Sequence, residues 1–123
     1  MKLYRVMKVA GDGKPQVGTK RNMLGVRPRD PANTNPRRRP DVDAVNDTDT
    51  VLPGKGLSTS QAAAMFRIDR GEAIFEIDTN DLGPDLVENP DNPPHTLIQP
   101  AVAMTLGEFQ QALAGTRDLW QPV

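Results

Sequence analysis

The chain has 123 residues, 37% of them hydrophobic and only 4% aromatic, which fits a single domain, 1–123, with a modest core. It has no cysteine and one histidine, so disulfide frameworks and thiolate or multi-histidine metal centres are excluded and no metal is expected. A net charge of −1 gives no global attraction to nucleic acid or membrane, and no apolar run reaches the length of a membrane span.

The first predicted element is a strand over Leu3–Val9. Leu3, Arg5, Met7 and Val9 share one face; Tyr4, Val6 and Lys8 share the other. Arg5 therefore stands among apolar neighbours. It either snorkels to water or meets an anion, a carboxylate or a ligand phosphate. Arg5 and Lys8 also interrupt the apolar run that a cleavable leader needs, so the expectation is a cytoplasmic chain.

Gly11-Asp12-Gly13-Lys14-Pro15 is a turn signal. From about residue 11 to residue 50 no periodicity is sustained, and the segment reads as one long loop. Arg27, Arg29 and the run Arg37-Arg38-Arg39 are followed at once by Asp41, Asp43, Asp47 and Asp49. Basic then acidic residues predict a loop that partly neutralises itself.

Gly54-Lys55-Gly56 lets the backbone be approached closely, but it is not a phosphate-binding loop of the Gly-Lys-Ser/Thr kind. Leu57 and the hydroxyl residues Ser58, Thr59 and Ser60 can end a strand. Gln61–Arg67 then reads as a helix, so a hydroxyl cap and an anion site at its start are expected. Glu72–Asp78 is a strand, Leu86-Val87 a brief one, and Asn89–Pro94 a rigid polar loop. His95–Gln99 is the last clear strand, with His95 at its start. Thr105 and Glu108 form a capping box before a helix carrying Leu106, Phe109 and Leu113 at helical spacing; Gly115 ends it and Trp120 folds back onto its base. The fold class is α+β: a small split antiparallel or mixed sheet with two or three short helices.

Three features of this order resemble the ADP-ribosyltransferase-like toxin family. They are the arginine of Leu3-Tyr4-Arg5 on the first strand, the run Ser58-Thr59-Ser60, and the polar residue opening the late strand His95-Thr96-Leu97-Ile98-Gln99-Pro100. With the Pro40-Asp41-Val42 approach, the Pro84-Asp85-Leu86 turn and Met104 beyond the late strand, the order is similar to that of small type VI secretion effector toxins of this fold. The resemblance implies an NAD-dependent ADP-ribosyltransferase with Tyr4, Arg5 and Ser58 at the cofactor. It implies Thr59, Ser60 and His95 as the residues on which toxicity depends, a nucleotide-type ligand, and an immunity or antitoxin protein as partner.

One departure is chemical. The family opens its late strand with a glutamate, whose carboxylate stabilises the cation formed as nicotinamide leaves; here His95 stands in its place. Glu72 and Glu76 lie on an earlier strand and do not fit that position. The alternative is a non-catalytic module of the same fold that binds an immunity or antitoxin protein through the arginine-rich loop. RNA binding by that loop is disfavoured by the acids that follow it and by the scarcity of aromatics for stacking.

Overall fold

The computed structural model describes residues 1–63 and 66–123. The architecture is α+β. The strands are β1 (Lys2–Lys8), β2 (Thr50–Val51), β3 (Leu57–Ser60), β4 (Glu72–Asp78), β5 (Leu86–Asn92), β6 (His95–Pro100), β7 (Met104–Thr105) and β8 (Gln121–Pro122). One helix, α1 (Leu106–Gly115), lies between β7 and β8. Six strands form an antiparallel sheet in the order β5-β6-β3-β1-β4-β8, and β2 pairs with β7 apart from it.

The period-2 alternation of the strands decides which side of the sheet is dry. β1 and β4 pair from Lys2 opposite Asp78 to Lys8 opposite Glu72. This places Leu3, Met7, Phe75 and Ile77 on one face, with Leu57 and Ile98 continuing it through β3 and β6. All six are buried, and Leu106, Phe109 and Leu113 of α1 join the same core. Gly56 has to be glycine for this packing, because a Cβ there would collide with the Ile98 carbonyl.

α1 begins as its sequence predicts. Thr105 Oγ1 accepts from Glu108 N at 3.1 Å, and Glu108 Oε1 accepts from Thr105 N at 3.1 Å. At the other end, wholly buried Trp120 donates from Nε1 to Thr116 Oγ1 at 3.0 Å, which brings the chain back against the helix.

The long segment between β1 and β2 carries no helix and no extended strand, but it is anchored. Leu24, Val26, Val42 and Ala44 are buried in the core. The Gln110 side chain clamps Val26 from α1, accepting from its N–H at 2.9 Å and donating to its carbonyl at 2.8 Å.

Two predicted features differ. α1 is the one α-helix among the described residues, with single 3-10 turns at Thr79–Asp81 and Arg117–Leu119. The predicted helix Gln61–Arg67 does not form at its described residues; Ala64 and Met65 lie outside them. After Ser60 the chain keeps holding on to β6: Gln61 N donates to Pro94 O at 2.8 Å and Gln61 Nε2 donates to Thr96 Oγ1 at 3.0 Å. Tertiary hydrogen bonds here override the helix propensity of a short alanine run. The predicted polar loop Asn89–Pro94 belongs largely to β5, which runs seven residues. Pro90 is tolerated because β5 is an edge strand and its register shifts between Asn89 and Asn92.

Hydrogen bonds from Thr105, its main-chain N–H first and its hydroxyl second, hold the Glu108 carboxyl below its ordinary value of 4.5. A depressed carboxyl stabilises the fold above its ordinary value and loses that contribution as pH falls through its folded value. Midpoints of urea unfolding are therefore expected to be flat from about pH 7 to 5 and to fall below about pH 4.5. In Glu108→Gln the acid decline is shallower. Thr105→Ala costs about 1 kcal/mol at neutral pH.

Candidate functional site

β1 and β3 are in register at Tyr4 and Ser60 alone. Beyond that point they part, and the far half of β1 is bordered by the long segment instead. Lys8 N donates to Asn22 O at 2.7 Å, and Gln16 N donates to Lys8 O at 2.8 Å. Arg5 bridges the split. Its Nη1 donates to Ser58 O at 2.8 Å, and its Nη2 donates to Arg21 O at 2.8 Å and Met23 O at 2.9 Å. The Nε is buried without a hydrogen-bond partner, and Arg5 makes no ion pair among the described residues. Burial pushes the guanidinium down to about 10, with the Asp41 carboxylate opposing that shift and the Arg27 cation adding to it. The group stays charged at neutral pH.

A cleft of about 950 Å³ opens over this split. Arg5, Ser58, Thr59, Ser60 and His95 all line it. Tyr4, expected with them, is half-buried opposite Ser60 and lies outside the lining.

The strand pairing sorts the hydroxyls. Ser60 lies opposite His95 and Ser58 opposite Leu97, on one face; Thr59 lies opposite Thr96 on the other. Thr59 is buried and spends its hydroxyl proton on Thr96 O at 2.7 Å, tying β3 to β6. The Ser60 Oγ accepts from Ala62 N at 3.0 Å, so its own proton remains to be donated. These three residues were expected to cap a helix; they form a strand and the turn that leaves it.

Sequence reasoning missed five residues, Asp91, Glu72, Arg21, Arg67 and Phe66. His95 Nδ1 lies 2.8 Å from Asp91 Oδ1, across the turn that joins β5 to β6. A carboxylate on Nδ1 fixes the ring orientation and presents Nε2 as the base. Glu72 also lines the cleft, although it stands on an earlier strand than the one the family's glutamate opens. Its Oε1 accepts from Asp69 N at 2.9 Å and its Oε2 from Asn22 Nδ2 at 3.0 Å. Arg21 and Arg67 are exposed at the rim, and Phe66 offers an aromatic wall. Only for Asp91 was there a local signal, the four-residue spacing to His95 across a proline turn. Glu72 enters because β4 runs antiparallel to β1, which sets it opposite Lys8 beside the split.

The cleft thus combines a half-buried cation, rim cations, serine hydroxyls, an oriented imidazole and a carboxylate. Its volume suits a ligand of nucleotide size. No group of three or more His, Asp or Glu is placed to hold a metal ion, and no helix is long and apolar enough to cross a membrane, among the described residues.

Compared with protein-family models, curated proteins and solved structures, the chain matches none.

Arg5→Met keeps bulk but leaves three main-chain carbonyls without their charged donor. It is expected to cost about 3 kcal/mol in urea unfolding with no ligand present. Ser60→Ala removes one local hydrogen bond and is expected to stay within about 1 kcal/mol of wild type.

Proposed function

We propose that the chain is an ADP-ribosyltransferase-like toxin domain that takes NAD in this cleft and acts in the bacterial cytoplasm. One observation carries the reading. Arg5, the Ser58–Ser60 run and His95 lie far apart in sequence, were linked only by a family resemblance, and line one cleft at a split in the sheet.

The residues present fit a dinucleotide. Arg21 and Arg67 have exposed guanidinium groups at the rim, suited to paired phosphates. Arg5 adds a half-buried positive charge, but its terminal nitrogens already hold Ser58, Arg21 and Met23 carbonyls. Its part is to shape the cleft and set its potential rather than to clamp a phosphate. Ser60, and Ser58 on the same face, donate to ribose hydroxyls, while Thr59 holds the strand that carries them.

When bound, NAD supplies an ADP-ribosyl group attached to a good leaving group. His95, oriented by Asp91, takes the proton from the target nucleophile through Nε2. The carboxylate absent from the start of β6 has two substitutes. Glu72 stands in the cleft wall, and Asp91 backs the imidazole, so negative charge is available to oppose developing positive charge.

The test is induced expression in bacteria alongside nicotinamide release by the purified protein. Wild type is expected to arrest growth and to release nicotinamide from NAD. His95→Ala and Ser60→Ala are expected to restore growth and to lower release by about 100-fold or more. Asp91→Asn is expected to lower it about tenfold or more, because the ring loses the partner that orients it. Equal growth of folded wild type and variants, with no heat on titration of NAD, would remove the reading. Heat without nicotinamide release would leave a binding module of the same fold.

A further inference from the structure

In sequence, four aspartates follow the arginine-rich run; in the folded chain they do not neutralise it. Asp41 lies 3.2 Å from Arg27 Nη2 and also accepts from Arg27 N at 2.7 Å. Asp49 turns inward and accepts from Val45 N and Asn46 N at 3.0 and 2.9 Å. Asp43 lies 3.9 Å from Lys55 Nζ.

What remains is a basin of about 1370 Å³ walled by residues 19–21 and 27–40. Lys20, Arg21, Arg29, Arg37, Arg38 and Arg39 line it, all exposed and none in an ion pair among the described residues. Asp30 is the one carboxylate in the wall. Six exposed cations thus face one concavity against a single carboxylate, on a chain that is braced beneath them. Arg29 N donates to Ala44 O at 2.8 Å and Asp41 N donates to Arg27 O at 2.9 Å, fastening both ends of the loop. Across its tip, Asn33 Nδ2 donates to Arg38 O at 2.9 Å. Pro28, Pro31, Pro36 and Pro40 restrict the backbone between these ties.

The lining also says which anion fits. It contains no Leu, Ile, Val, Met or aromatic residue. A protein partner needs apolar or aromatic anchors at the centre of its interface, and this wall offers none. A nucleic-acid backbone needs only cations, because phosphate neutralisation and counterion release carry its affinity. Without aromatics there is no platform on which bases stack, so sequence is not read. The wall is rich in arginine, whose planar fork matches phosphate oxygens in pairs. Arg21 lines both this basin and the cleft, so the two are contiguous.

We propose that the basin binds the phosphate backbone of a single-stranded nucleic acid without reading its bases and leads the strand toward the cleft at Arg21. The inference does not rest on NAD chemistry in the cleft.

Fluorescence anisotropy with labelled 12-nucleotide single strands of unrelated sequence, DNA and RNA, tests it. Affinities are expected to agree within about threefold across base sequences and to fall linearly with log salt. The triple variant Arg37→Ser, Arg38→Ser, Arg39→Ser alters exposed side chains only. It is expected to weaken binding about tenfold or more and to flatten the salt slope by about 2, at about 0.7 per lost phosphate contact. Ser60→Ala and His95→Ala, each folded, are expected to bind the strands as wild type does, which separates this site from the cleft. Absence of binding at low salt would overturn the proposal, as would unchanged binding by the triple variant. So would a poly-glutamate chain of equal charge that competes as well as the oligonucleotide, because the site would then take acidic protein.

Discussion

The guanidinium of Arg5 is the interaction on which the rest of this molecule depends. It stands on the dry face of β1, between Leu3 and Met7, at the place where β1 and β3 cease to pair. A split in a sheet leaves main-chain carbonyls without ladder partners, and buried carbonyls without partners are costly. Arg5 satisfies one on β3, at Ser58, and reaches across to the Arg21 and Met23 carbonyls of the long segment that borders the split. A single charged side chain thereby keeps the sheet open without leaving it unsatisfied. The open sheet is the cleft.

The same arrangement divides labour among residues that look alike in sequence. Ser58, Thr59 and Ser60 are consecutive hydroxyls, but a strand sends neighbours to opposite faces. Thr59 goes into the core and is used up on the Thr96 carbonyl; Ser60 is set beside His95. His95 in turn is not a lone imidazole, because the turn between β5 and β6 returns Asp91 to its Nδ1. A carboxylate on Nδ1 holds the ring in one orientation and leaves Nε2 toward the open side. This pairing bears on the proposed chemistry, since a bare histidine in place of a glutamate offers no negative charge.

Electrostatics are divided in a similar way across the long segment. Its acids and bases nearly cancel in number, yet Asp41 is drawn to Arg27 and Asp49 to main-chain N–H groups while the exposed arginines are left facing one concavity. Net charge is a property of composition. Local potential is a property of where the backbone puts each group, and here the two disagree.

The alternation of Leu3–Val9 and of Glu72–Asp78, the Thr105–Glu108 capping box and the return of Trp120 were legible in the sequence, because each depends on contacts a few residues apart. So was the irregular character of the segment between β1 and β2, which lacks any period. Local patterns misled where tertiary contacts outweighed propensity. Gln61 is held to β6 rather than starting a helix, and Pro90 is carried within an edge strand. The convergence of Arg5, Ser60 and His95 on one cleft, the entry of Glu72 into its wall and the separation of the arginines from the aspartates were decided only by the fold. The first two join residues tens of positions apart through strand pairing and register, the third rests on where the turns of an irregular segment put each side chain, and one sequence carries no record of either.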